Sequence, residues 1–256
     1  MSNKKNISTT YLSVVVPAFR AEQFIYNNLA NLDKVLQKTR KTYEILCVVD
    51  GSPDRTQKEA ERYFKINPKV RIFSYRKNQG KGYAVGYGFS KARGQLLGFI
   101  DAGTEINPND MLTLIKTQQD RGADIVVGSK RHPKSKIDYP PLRRLLSIGY
   151  FLINKILFDM QVNDTQFGMK LYKRSVFKRI QKYLSINGFA FDIEMLALAN
   201  FFGYKIVESP VRLSSNKESF STITFKGGFL KNSLIVFKDT VRIFWRLRKC
   251  IEINLI

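Results

Sequence analysis

The amino-acid sequence predicts an α/β fold in which helices cover both faces of a mostly parallel sheet. Short runs rich in Val, Ile and Leu alternate with segments whose apolar residues recur every three or four positions. These are the periods of buried strands and of amphipathic helices. Gly, Pro, Asp and Ser, which favour turns, follow several of the apolar runs. With 256 residues and 44% hydrophobic content, the chain can bury the core of one large domain.

The first half of the chain contains five predicted strands. They lie within residues 11–19, 43–56, 70–75, 95–103 and 123–131. Helices are predicted between them at 21–39, 55–66 and 108–121, and at 78–94, where a glycine-rich loop enters a helix. Ligands bind beyond the carboxyl ends of parallel strands, so we expect Pro17, Asp50, Asp101 and Ser129 to line one crevice.

The second half of the chain begins with a basic loop that contains prolines. The elements predicted after it are an apolar helix at 142–158, a helix ending near residue 182, a strand at 205–213 and a last helix at 229–249. We therefore divide the chain into a polar tail, one domain and a basic C-terminal segment. Their bounds are 1–10, 11–213 (with parts 11–131 and 132–213) and 214–256.

Charge is the most unusual property of the composition. Forty-three Lys and Arg residues against 21 Asp and Glu residues give a net charge of +22. Such a surface predicts a polyanionic partner, which leaves phosphates, an anionic membrane face or nucleic acid open. A solvated basic surface with no partner is the alternative. The chain contains no recognised nucleic-acid-binding module, so we do not expect a nucleic-acid partner.

The sequence indicates a cytoplasmic protein at the membrane surface. Two cysteines give no disulfide framework, and the N-terminus lacks the apolar core of a signal peptide. No stretch reaches the roughly 18–20 apolar residues of a membrane span. The helices at 142–158 and 229–251 mix apolar and basic residues, which is typical of interfacial helices. Ordinary core packing of these helices is the alternative.

Asp101 is the strongest candidate for chemistry. It follows the apolar run LLGFI, and a carboxylate in this position either binds something or carries a large cost of burial. A divalent cation such as Mg²⁺ or Mn²⁺, completed by substrate phosphates, suits it. Gly103 follows where a second acid would be useful, and Glu105 is the next carboxylate. We therefore propose Asp101 and Glu105 as metal ligands.

Two further segments predict a nucleotide site. Asp50, before the turn GSPDRT, can accept hydrogen bonds from a nucleobase or a ribose, although simple turn chemistry explains it as well. The segment NQGKGYAVGYG resembles a loop that holds phosphates. It has neither Walker A spacing nor a dinucleotide fingerprint. Lys81 is the expected phosphate-facing charge.

The segment GSKRHP places Ser129, Lys130 and Arg131 at another strand end, where Arg131 can clamp a phosphate with two hydrogen bonds. In NDTQFGMK, Asp164 and Gln166 can orient a sugar or an acceptor, and the alternative for Asp164 is a helix N-cap.

In this order the motifs resemble those of glycosyltransferase family 2. They are SVVVPAF, VVDGSPDRT, NQGKGYAVGYG, IDAG, VVGSKRHP, DTQFGMKLYKR and FAFDIEMLALA. Within the family they look most like the polyprenyl-phosphate (dolichyl-phosphate) group, above all its β-glucosyltransferase branch, with the mannosyltransferase branch second. The resemblance covers residues 11–213 and implies a GT-A fold, with nucleotide-sugar binding at 11–131 and acceptor binding at 132–213.

The resemblance also implies an activity. A hexose, glucose first and mannose second, would pass with inversion from UDP-glucose or GDP-mannose to a polyprenyl monophosphate for glycan assembly. The reaction would need Mg²⁺ or Mn²⁺ and would take place at the cytoplasmic face of an anionic membrane, with a possible membrane-embedded partner. Residues 214–256 would supply an acceptor loop and an interfacial helix.

By matching position, the resemblance assigns roles to the candidate residues. Nucleotide-sugar binding falls to Pro17, Ala18, Glu22, Asp50, Lys81 and Asp101, acceptor phosphate to Ser129, Lys130 and Arg131, and catalysis to Asp101, Asp164, Gln166 and Arg131. Three acids of the family pattern are absent, since Ala21, Val49 and Gly103 occupy their positions. A non-catalytic member that binds nucleotide or lipid phosphate is therefore the alternative.

Overall fold

The computed structural model describes residues 10–135, 141–160, 162–212 and 228–252. Seven strands form one sheet: β1 Leu12–Ala18, β2 Tyr43–Asp50, β3 Val70–Tyr75, β4 Leu96–Ile100, β5 Ile125–Ser129, β6 Met169–Lys173 and β7 Ile206–Pro210. The helices are α1 Ile25–Gln37, α2 Thr56–Phe64, α3 Lys81–Lys91, α4 Asp110–Arg121, α5 Pro141–Phe158, α6 Arg174–Ile180, α7 Phe191–Phe201 and α8 Gly228–Glu252. A short 3₁₀ helix, Gln181–Tyr183, extends α6.

The strand order is β3-β2-β1-β4-β6-β5-β7. Every strand pair is parallel except the two that involve β6, which is antiparallel to both β4 and β5. The predicted mostly parallel α/β class is therefore confirmed. All eight residues of β2 are buried, as expected for a strand with helices on both faces.

The sequence pattern does not predict β6. The second residue of this strand is Lys170, whose side chain is completely buried, and a charged residue in a five-residue run argues against an interior strand. The structure stabilises that charge through a tertiary partner, Asp192, which lies 22 residues away in the sequence. Local pattern alone does not reveal such a partner, so no element is predicted for this segment from the sequence.

The last helix, α8, has two different faces. Thr240, Ile243 and Leu247 are buried against the domain, and Phe244 contacts Phe158 of α5 edge-on at 6.1 Å. The opposite side exposes large apolar and basic side chains: Leu234, Ile235, Phe237, Lys238, Arg242, Trp245, Arg248 and Lys249. Core packing and an exposed amphipathic face therefore coexist in α8.

Among the described helices, none has the length and apolar character needed to cross a membrane. Most of the predicted polar tail at 1–10 and of the loop at 214–228 lies outside the described residues. The predicted division of the chain into domains stays a prediction.

Candidate functional site

The candidate residues lie along one edge of the sheet. The parallel strands β1, β2 and β5 end at Ala18, Asp50 and Ser129, and Asp101 directly follows β4. Because β6 is antiparallel, its amino end at Met169 enters this same edge between β4 and β5. The segment that precedes β6 is thereby brought beside the strand ends.

Asp101 and Lys81 form an ion pair at this edge. The Lys81 Nζ lies 2.7 Å from Asp101 Oδ1, with 14% of the lysine and 36% of the aspartate side chain exposed. The Asp101 amide donates to the Gly168 carbonyl at 2.9 Å. A Cβ at Gly168 would lie 2.0 Å from Asp101 Oδ2, so only glycine admits this carboxylate. Gly168 therefore fixes where the carboxylate lies.

A second, buried ion pair lies behind Lys81. The Lys170 Nζ is 2.6 Å from Asp192 Oδ1, and the two side chains are 0% and 3% exposed. Lys170 also donates to the Phe167 carbonyl at 2.8 Å. The other oxygen of Asp192 lies 3.9 Å from Lys81 Nζ. Two carboxylates and two ammonium groups thus alternate from the crevice into the core, in the order Asp101, Lys81, Asp192 and Lys170.

Burial and charge oppose each other in this chain of ions. Burial acts against the charge of Lys81, but the carboxylates of Asp101 and Asp192 outweigh it, so the pKa of Lys81 is raised. Burial lowers the pKa of Lys170 and raises the pKa of Asp192. Lys81 therefore remains a cation at neutral pH.

The sequence analysis did not single out Lys170 and Asp192. The available signal was a charged residue inside each of two apolar runs, GMKLY and FAFDIEML. Charged side chains in such runs are almost always paired. That Lys170 and Asp192 pair with each other is shown only by the tertiary structure.

The donor set at Asp101 is small. Among the described residues, no three Asp, Glu, His or Cys side chains converge as metal ligands. A Cβ at Gly103 would have nothing within 4 Å, so the space for a second acid is open. Glu105 is half-buried on the loop after β4. This arrangement fits a divalent ion that takes most of its ligands from substrate oxygens and water.

Asp50 organises the loop before α3. It is 4% exposed, and its carboxylate accepts hydrogen bonds from the amides of Gln79 at 2.7 Å and Gly80 at 3.0 Å, and from the Asn78 side chain at 3.0 Å. Gly51 adopts φ +57°, and a Cβ there would lie 2.2 Å from the Asn78 amide nitrogen. The Asp50 carboxylate is therefore hydrogen-bonded within the protein, and its contact with a nucleotide stays a prediction.

Two amides in the first turn of α3 are already used within the protein. The amides of Gly82 and Tyr83 donate to the Asn187 carbonyl at 2.7 and 3.2 Å. A Cβ at Gly82 would lie 2.5 Å from Phe191 Cβ. The backbone at Gly82 therefore lies close to Phe191, and the segment contributes the Lys81 side chain to the crevice.

Hydrogen bonds join the loops after β1 and β2. Glu22 accepts from the Arg55 amide at 2.9 Å, and the Ala21 amide donates to Thr56 Oγ1 at 2.7 Å. Ala18 is 1% exposed and Pro17 half-buried. The nucleotide contacts assigned to Pro17, Ala18 and Glu22 stay predictions.

Residues expected to handle the acceptor and the sugar lie together. The Lys130 amide donates to Asp164 Oδ2 at 2.9 Å, and the Gln166 amide to Asp164 Oδ1 at 3.3 Å. No described helix begins directly after Asp164, because the next element is strand β6 at Met169, so the N-cap alternative was wrong. Gln166 Nε2 is buried and makes no hydrogen bond within the described residues. A buried donor of this kind is suited to a ligand oxygen.

Arg131 and Ser129 differ in accessibility. Ser129 is completely buried, and its hydroxyl accepts a hydrogen bond from the Arg131 amide at 3.2 Å. The Arg131 guanidinium lies over the Phe151 ring of α5 at 5.2 Å. The His132 Nδ1 accepts a hydrogen bond from the Lys134 amide at 3.2 Å. The phosphate contacts of Ser129, Lys130 and Arg131 stay predictions.

The sequence is similar to known glycosyltransferases. Residues 13–181 match the profile of Glycosyl transferase family 2. One relative is the dolichyl-phosphate beta-glucosyltransferase of Dictyostelium discoideum, which is 31% identical over 265 residues. That match covers 96% of this chain and 77% of the relative.

Two solved structures share the fold. Mannosyl-3-phosphoglycerate synthase from Rubrobacter xylanophilus has a TM-score of 0.68 at 16% identity and covers 96% of this chain and 76% of its own. Glucosyl-3-phosphoglycerate synthase from Mycobacterium tuberculosis, in complex with Mn²⁺, UDP and phosphoglyceric acid, has a TM-score of 0.59 at 18% identity, with coverages of 79% and 69%. These likenesses confirm the predicted GT-A type of fold.

Proposed function

Because the chain belongs to glycosyltransferase family 2, we propose that it transfers glucose from UDP-glucose to a polyprenyl monophosphate such as dolichyl phosphate. Mannose from GDP-mannose is the second candidate. The observation that carries the proposal is the partly exposed Asp101–Lys81 pair at the carboxyl end of β4, where α/β sheets bind their ligands. The similarity to a dolichyl-phosphate beta-glucosyltransferase supports the choice of sugar and acceptor.

The proposed reaction is a single displacement. A phosphate oxygen of the acceptor forms a bond to the anomeric carbon, and the bond from that carbon to the donor diphosphate breaks. The electron pair leaves with the nucleoside diphosphate, and the configuration inverts. The second pKa of a phosphate monoester is about 6, so the nucleophile is already ionised at neutral pH. A strong general base is therefore unnecessary.

The main task of the protein is to bring two polyanions together. Lys81 places a fixed positive charge beside Asp101, which offsets the charge of the departing diphosphate. Asp101, with Glu105 as the second candidate, would hold Mg²⁺ or Mn²⁺, which when bound supplies further positive charge to the diphosphate. The open space at Gly103 leaves room for the substrate oxygens that this small donor set requires.

The other reactant would lie toward β5. Lys130 and Arg131 provide positive charge for the acceptor phosphate, and Arg131 can use its fork of donors for two phosphate oxygens. Asp164 fixes the Lys130 backbone through the hydrogen bond at 2.9 Å. The unpaired Nε2 of Gln166 is available to a sugar oxygen. These side chains would orient the reacting atoms rather than exchange protons with them.

An anionic membrane at the cytoplasmic face is the proposed location. The exposed side of α8 combines Phe237 and Trp245 with Lys238, Arg242 and Lys249. This combination suits the interface of an anionic bilayer, where each Lys or Arg contributes about 1 kcal/mol. The acceptor lipid would then reach the crevice from the membrane to which the enzyme is bound. A membrane-embedded partner remains a further prediction.

The direct test is a transfer assay. Purified protein is incubated with radiolabelled UDP-glucose or GDP-mannose, Mn²⁺ or Mg²⁺, and a short polyprenyl phosphate. We expect a lipid-linked sugar, most rapidly from UDP-glucose. Asp101→Asn should abolish transfer, whereas Asp120→Asn should not, because Asp120 is exposed and pairs with Lys116 on α4.

The assay also addresses the alternative. The vacant acid position at Gly103 favours a non-catalytic protein that binds nucleotide or lipid phosphate. UDP binding without transfer from any donor would support that alternative and contradict the enzymatic proposal. Transfer that persists in Asp101→Asn would contradict the role assigned to this carboxylate.

A further inference from the structure

Arg246 behaves differently from the exposed basic residues of α8. Its guanidinium contacts the Glu194 carboxylate of α7 and the Ser185 hydroxyl. Glu194 is completely buried, while 29% of the Arg246 side chain is exposed. Arg242, one turn earlier on the same helix, is exposed. Arg246 therefore faces the domain.

Glu194 gathers the chain that follows the 3₁₀ helix. Its two oxygens accept hydrogen bonds from the Ser185 amide at 3.0 Å, the Ser185 hydroxyl at 2.9 Å and the Ile186 amide at 2.8 Å. A buried carboxylate with this many donors is rigidly held. Arg246 supplies the positive charge that offsets its burial.

The next residue, Asn187, contacts the first turn of α3, which carries Lys81. Its carbonyl accepts the amides of Gly82 and Tyr83 at the start of α3. Gly80 has φ +99°, and a Cβ there would lie 2.5 Å from the Asn187 oxygen. The two backbone segments are in direct contact here, so a displacement of Asn187 would move the turn that carries Lys81.

We propose that Arg246 is a positioning residue of the donor site. Through Glu194, Ser185 and Asn187 it connects α8 with the first turn of α3, and it thereby holds Lys81 where the donor diphosphate binds. Helix α8 accordingly has two roles on two faces, since one face meets the lipid and the other supports the donor site. The inference rests on the proposed function for the identity of the donor.

The test compares two substitutions that remove an arginine charge from an Arg–Glu ion pair. Arg246→Gln breaks the connection, and Arg62→Gln is the matched control, because Arg62 pairs with Glu59 at an exposed position of α2. Both are assayed in detergent with a short polyprenyl phosphate, so that membrane binding does not limit the rate. We expect the KM for UDP-glucose to rise about 2–30-fold in Arg246→Gln, with the KM for the acceptor unchanged, because couplings of this kind amount to about 0.5–2 kcal/mol. Equal donor KM values in the two variants would overturn the inference.

A second measurement covers the case in which Arg246→Gln folds poorly because Glu194 keeps an unpaired charge. The double variant Glu194→Gln and Arg246→Gln removes both charges. Amide hydrogen exchange is then followed at Gly82 and Tyr83, whose protection depends on Asn187. We expect faster exchange at these two amides in the single and the double variant, with β1 and β2 unchanged.

Hydrogen exchange separates this inference from the proposed function, because it requires no turnover. If no donor supports transfer, faster exchange at Gly82 and Tyr83 still supports the connection through Arg246. If transfer occurs but exchange at both amides is unchanged, or is faster throughout the sheet, the positioning role is refuted while the proposed activity stands.

Discussion

Replacing Lys170 by Met should destabilise the fold strongly. The change leaves the buried Asp192 carboxylate with the Lys81 ammonium, at 3.9 Å, as its remaining cation. Removing one partner of a buried ion pair costs about 3–5 kcal/mol. In a chain of this size 1 kcal/mol corresponds to about 2–4 °C, so the midpoint of thermal unfolding should fall by about 6–20 °C.

Thermal and urea unfolding, followed by circular dichroism, measure this loss. Lys116→Met is the matched control, since its ion pair with Asp120 is exposed and is expected to contribute less than about 1 kcal/mol. The double variant Lys170→Met and Asp192→Leu should recover much of the stability, because apolar side chains can replace a buried ion pair at little cost. The reasoning fails if Lys170→Met is as mild as the control, or if the double variant is as unstable as the single one.

Three further results are expected. Gly168→Ala should abolish transfer, because the added methyl group displaces Asp101. Gly103→Ala, whose methyl group meets open space, should retain transfer. Equal activity of the two variants in the radiolabel assay would contradict this expectation. Burial raises the pKa of Asp124, but a lysine side chain and a backbone amide outweigh it, so the pKa is lowered. The stability that the ionised Asp124 contributes should therefore be present above about pH 4 and lost in more acidic solution. Asp124→Asn should flatten this pH dependence of the free energy of unfolding, measured by urea titration. Arg242→Glu should reduce sedimentation with anionic vesicles, and unchanged sedimentation would count against the membrane-facing side of α8.

The structure also changes how the membrane proposal is tested. Deleting the last helix would remove Ile243 and Leu247 from the core and Arg246 from Glu194. Loss of vesicle binding after such a deletion would therefore reflect unfolding as much as lost lipid contact. A single substitution at an exposed basic position of α8 avoids this ambiguity.

The sequence predicted the strand ends well because their signals are local. An apolar run followed by Asp50 or Asp101 marks a buried strand that reaches an edge, and parallel strands share that edge. It did not predict β6, whose Lys170 contradicts the strand pattern until Asp192 is known. The connection from Arg246 to Asn187 was also missed, because it joins three separate segments of the chain.

The sequence by itself determined the α/β class, the order of most elements, the family and the carboxylate that follows β4. Each depends on periodicity or on a short motif, which neighbouring residues specify. Only the tertiary structure decided that Lys81 lies between Asp101 and Asp192, that Asp50 is occupied by the loop before α3, and that one face of α8 supports the domain. Hydrogen bonds and ion pairs act over a few ångströms, and which groups come that close is settled when the chain folds.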